Sequence, residues 1–240
     1  MEIIGWSALL TILGGILIYL SRDQPFPEVS QKHGFFLIAI AGILLIASAS
    51  PRQFDDARVA ATIVTVIAGI QMVIGAWYMT LANRDVIVGP ITGILLCIGT
   101  GSLFASDWDL SSNAEQATAF ITLALMIMLE MYLFFRGMIV GTSAKMWSAA
   151  GLRQTERGLL EGERGAIGCF ERAWDVEEEY ISAMSHLALI KIHNHLGNNE
   201  AAELHHVKLQ QLGGEEAIDT NWSDALDSSL YHLIGAKSEE

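Results

Sequence analysis

Two groups of residues in this chain have types suited to chemistry: one acid inside an apolar run, and a set of histidines. Glu130 sits in "MIMLEMYLFFRG", with no other charged residue between Glu115 and Arg136. A carboxyl in such surroundings can carry a proton or ion, hold a lipid or small ligand, or hydrogen-bond a neighbouring helix. His186, His193, His195, His205 and His206 fall within twenty-one residues. Their spacing does not converge. His186 and His193 share a helix face about 10 Å apart, and the adjacent His205 and His206 diverge. A zinc site needs tetrahedral convergence, so no metal is expected and the imidazoles are expected to be solvated or to line a groove. Cys97 and Cys169 give neither a disulfide framework nor a metal spacing. A phosphate loop with Lys, a His-Glu-x-x-His pair and a nucleophile elbow are all missing. No catalytic residue and no cofactor are therefore expected.

The elements that must position these groups are helices in two different solvents. Of 240 residues, 52% are hydrophobic and 17% charged, with a net charge of −13. Residues 1–141 hold six Lys/Arg and ten Asp/Glu, and residues 142–240 hold eight and seventeen, leaving −4 and −9. The acidic balance disfavours nucleic acid, whose phosphates need basic partners. Five apolar runs, 3–20, 34–50, 59–82, 86–105 and 117–135, have about the length that crosses a hydrocarbon core. The predicted architecture is all-α. A five-helix transmembrane domain (1–141) is followed by a juxtamembrane linker (142–149) and a helical soluble domain (150–240). The first run has no positive flank and no small-residue cleavage site, so it reads as an anchor.

Basic residues in short loops orient the spans. With the N-terminus outside, Arg22, Lys32, Arg84, Arg136, Lys145 and Arg153 lie inside, and only Arg52 and Arg58 outside. The soluble domain is then cytoplasmic, beneath a cell membrane. Trp6, Tyr19, Trp77, Tyr78 and Trp108 fall near run ends, where aromatic rings favour the interface. Trp147 is read as a marker of the membrane edge. In the fourth run Gly89, Gly93, Cys97, Gly101 and Ala105 recur every four residues, a small stripe for close helix packing. Ala61, Thr65 and Gly69 make a similar stripe on the third. These stripes are expected to pair helices within the chain, with pairing between copies as the alternative.

A charge at mid-membrane costs about 2.5–3.5 kcal/mol on insertion scales. Glu130 should therefore face protein or be protonated. The third and fifth runs point the same way, and Gln71 and Glu130 fall at matching depths. A Gln71–Glu130 hydrogen bond is predicted, worth about 1 kcal/mol.

In the soluble half, "GERGAIGCFERAWDV" places Ala166-Ile167, Phe170, Ala173 and Val176 at helical spacing. "HLALIKIHNHLGNNEAAELHHVKL" follows with Leu187-Ala188, Leu196-Gly197 and Ala201-Ala202. Over about residues 150–212 this resembles tetratricopeptide repeats: a second helix, then a first helix, a turn at Gly197, and another second helix. The match departs in spacing by two residues, and His206 and Leu209 stand where an aromatic and a small residue are usual. The resemblance implies stacked helix pairs that dock another protein, and it carries over no active site. Trp222, Leu226, Leu230 and Leu233 fit a final helix, about 221–234, capping the last repeat. The acidic run Asp175, Glu177, Glu178 and Glu179 reads as a solvated face.

The function these readings imply is a membrane anchor, adaptor or accessory subunit. It presents a protein-interaction module to a cytoplasmic or membrane partner, with homo-oligomerisation possible. The alternative is a small transporter or channel component using Glu130 as an ion or proton site. A membrane-bound enzyme lacking a recognisable motif is the third reading.

Overall fold

A computed structural model describes residues 3–49, 57–174 and 179–237. Every regular element among the described residues is helical, with no strand. The chain divides into two compact units, Met1–Gly141 and Thr142–Glu240.

The first unit contains α1 (Ile3–Leu20), α2 (Pro27–Ser48), α3 (Ala57–Thr80), α4 (Val88–Asp107) and α5 (Asn113–Phe134). Each belongs to a segment long and apolar enough to cross a membrane. Two boundaries differ from the apolar runs for a local reason. Pro27 and Glu28 start α2 seven residues before the run at Gly34, because proline suits the first helical turn. Ser112 and Glu115 form a capping box that starts α5 ahead of residue 117. Ser50 and the loop residue Arg52 lie outside the described residues. Past Phe134 the helix widens into a π-helical segment, Phe135–Val140.

Three packing contacts organise this unit. α1 and α2 meet at Gly14 and Gly34, where a Cβ on either would come within 2.7 Å of the other's carbonyl oxygen. α3 and α4 run antiparallel, with Gly75 against Gly89 and Thr65 against Gly99. α5 packs on α4 and makes no comparable contact with α3. The small stripe of α4 therefore serves two neighbours. Gly89 faces α3, whereas Gly93, Cys97, Gly101 and Ala105 lie on the α5 side. Residues four apart drift by about 40° around a helix, which is enough to turn the ends of the stripe onto different partners. Trp6 is fully buried rather than exposed at a helix end, while Tyr19, Trp77 and Trp108 are exposed.

The second unit contains α6 (Ala144–Glu156), α7 (Ala166–Trp174), α8 (Glu179–Leu196), α9 (Asn199–Gln211) and α10 (Thr220–Lys237). The stretch expected as a linker is mostly α6, because Ala144, Met146, Ser148 and Ala150 are core residues. Trp147 is also a packing residue. It leans on Ala144, Ala173 and Ile181, donates its indole N–H to Thr142, and lies under the Arg172 guanidinium. Ala166, Phe170, Ala173, Leu187, Ala188 and Ala202 are all buried. Gly197 ends α8 with φ +77°, which suits a residue without Cβ. The Phe170 ring lies flat on Gly151 of α6 and edge-on to Trp222.

α10, expected over the last helix pair, lies on α8 of that pair and also on α6. It places Leu226 and Leu230 in the cluster around Phe170, Leu189 and Ile192. Lys191 and Asp227 pair across α8 and α10 at 2.6 Å. Val176 and the acidic residues 175–178 lie outside the described residues, as do the side chains of Glu179 and Leu233.

Candidate functional site

Glu130 projects from α5 onto α4 at Gly93. A Cβ there would overlap Glu130 Oε2, so only glycine lets the carboxyl lie on the backbone. Glu130 is 8% exposed, and neither of its oxygens has a hydrogen-bond partner among the described residues. It lines a cleft of about 470 Å³ walled by Ile94, Cys97, Ile98, Ile127, Phe134 and Phe135. The cleft opens along the side where Met131, Phe135 and Ile139 are more than half exposed. Gly137, within the π-helical segment that follows α5, sits against the Val86 carbonyl and the Pro90 ring.

The predicted Gln71–Glu130 hydrogen bond is not made. Gln71 is buried with its Oε1 unpartnered, and both Glu130 oxygens are likewise unpartnered. The contacts of Gly75 with Gly89 and Thr65 with Gly99 set a register that puts Gln71 level with Gly93. Gln71 is thus on the far helix of the α3/α4 pair. α5 approaches α4 alone, so the α4 backbone at Gly93 meets Glu130 instead.

A second buried acid in this unit was not singled out by the sequence. Asp85, in the α3–α4 turn, is fully buried and has three partners. Its Oδ1 accepts from the Ile87 and Val88 N–H groups at 3.0 and 2.7 Å, and its Oδ2 accepts from the Ser30 hydroxyl. Burial pushes this carboxyl above its ordinary range, and the three hydrogen bonds pull it back. The readable signal was its place just before a helix, where Asp caps free N–H groups.

The histidines are more buried than the sequence suggested. His186 of α8 and His205 of α9 are 3% and 5% exposed, with their Nδ1 atoms 3.1 Å apart. One Nδ1 must carry a hydrogen and donate while the other accepts, which requires the accepting ring to be neutral. Burial holds each at about 4, reinforced for His186 by His205 and Lys208, and for His205 by His193 and Lys208. His193 stacks parallel on His205 at 5.8 Å, with its own Nδ1 buried and unpartnered. Among the described residues no three His, Cys, Asp or Glu side chains are arranged to hold a metal ion. His186, His193 and His205 meet between α8 and α9, whereas His206 is exposed.

No family model matches the chain, nor does any curated protein or solved structure.

Proposed function

We propose that this protein is a membrane-anchored adaptor or accessory subunit. In this reading α1–α5 cross a cell membrane with the N-terminus outside. Residues 142–240 then form a cytoplasmic, tetratricopeptide-like module that docks another protein. Five helices of sufficient length and apolarity support the first part. The uneven distribution of Lys and Arg supports the orientation.

The observation that carries the docking role is the outer face of α9. Leu204 and Val207 are 57% and 50% exposed on that helix, beside Glu200, Glu203, Lys208 and Gln211. Adjacent exposed apolar side chains ringed by charge are the anatomy of a contact patch. The faces of α6 and α8 that meet α10 are already covered. With seventeen acidic and eight basic residues in 142–240, a partner offering apolar and basic groups is favoured.

Affinity capture from detergent extracts tests the reading. The double variant Leu204→Glu, Val207→Glu should lose its partner while keeping the wild-type circular dichroism, since both residues are surface ones. Glu130→Leu should keep the partner. Capture that survives the double variant would defeat the docking role of α9.

A further inference from the structure

We propose that the cleft between α4 and α5 binds a single-chain amphiphile whose head group donates a hydrogen bond to Glu130. This rests on the reading that these helices cross a bilayer.

The starting point is a disagreement between burial and bonding. Buried polar atoms are nearly always hydrogen-bonded. Glu130 is 8% exposed, yet both its oxygens lack a partner among the described residues. Its own helix cannot supply one, and the nearest surface is the glycine backbone of α4 at Gly93. The carboxyl therefore presents two acceptor atoms to whatever fills the space beside it.

That space has a definite character. At about 470 Å³ it lies within the range of about 300–1,000 Å³ typical of small-molecule pockets. Apart from Glu130 and the Cys97 thiol, its walls are Ile, Phe and Met side chains. One polar anchor in an otherwise apolar cleft matches a ligand with one polar end and a hydrocarbon body. A metal cation fits poorly, because calcium or magnesium takes six or more oxygen ligands and the walls supply a single carboxyl. The open side, along Met131 and Ile139, would face lipid, so the ligand would enter sideways from the bilayer. The head would be an alcohol or an amine. The two share a donor, and the amine adds a positive charge.

The test uses full-length protein in phosphatidylcholine vesicles with three probes. All carry the same sixteen-carbon chain with a photoreactive diazirine a few carbons from the head, and the heads are a hydroxyl, an amine or a methyl ester. The hydroxyl or amine probe should crosslink within residues 94–98 or 127–139, at about tenfold lower concentration than the donor-free ester. A preference for the amine would assign a cationic lipid, and a preference for the hydroxyl a neutral one. Glu130→Met should abolish the preference among heads, and Ile98→Trp should fill the cleft and remove the labelling. Equal labelling by all three probes in the wild type would overturn the proposal, as would a preference that survives Glu130→Met. If the protein fails to float with the vesicles, the membrane reading falls and the site with it. If it floats and labels without preference, only the site falls.

Discussion

Asp85 and Glu130 are both carboxyls buried in the same unit, and they are handled in opposite ways. Asp85 has three hydrogen-bond partners from two elements: the Ile87 and Val88 N–H groups at the start of α4, and the Ser30 hydroxyl of α2. Glu130 has none among the described residues. A buried acid that is fully paired holds the fold together. A buried acid left unpaired burdens the fold unless something else binds it. The contrast separates a structural carboxyl from one kept for another purpose.

The largest effect should come from cutting the paired acid. Asp85→Ala removes two cap bonds and leaves the buried Ser30 hydroxyl without its partner, a loss of about 3 kcal/mol. Thermal unfolding in a fixed detergent would show it, and an unchanged midpoint would break the contrast.

Acidification probes the paired histidines in the same spirit. His186 and His205 titrate at about 4 in the fold, against an ordinary value of 6.5. Between those values the unfolded chain binds more protons than the folded one, so the stability of this interface falls as pH drops from 6.5 towards 4. Hydrogen-exchange protection of α8 and α9 should decline over that window, and His205→Phe should flatten the response. Protection that holds constant to pH 4 in the wild type would show that the pair is not neutral and buried.

A smaller effect is expected at Lys191–Asp227. The pair is close at 2.6 Å, but Asp227 is 57% exposed, so Lys191→Ala should cost less than about 1 kcal/mol. The smallest is at Gln71, whose Oε1 is buried and unpaired. Gln71→Leu should leave the midpoint unchanged or raise it slightly. A clear drop would mean that Gln71 supports the fold.

The sequence made some of this plain and hid the rest for physical reasons. Five long helices were legible because continuous apolar runs leave little other choice, and their ends shifted where a first-turn proline, Pro27, or a capping residue, Ser112, extends a helix beyond its apolar part. Glu130 stood out by its surroundings, but its neighbour did not. Depth matching pointed to Gln71, whereas the choice between α3 and α4 is decided by which surface is smallest, and Gly93 is smaller. The burial of His186 and His205 was hidden because they sit on different helices, and spacing within one helix says nothing of the next. α10 was legible as a helix from Trp222, Leu226 and Leu230, but not its further seat on α6, which depends on the Phe170 ring reaching Trp222.

The most direct test of the contrast is the unfolding midpoint of Glu130→Leu, measured in lipid-free detergent beside the wild type. If the carboxyl is unpaired in the fold, replacing it with an apolar side chain of similar size keeps the midpoint or raises it. A fall as large as that of Asp85→Ala would contradict the account, because it would show that Glu130 is bonded and structural.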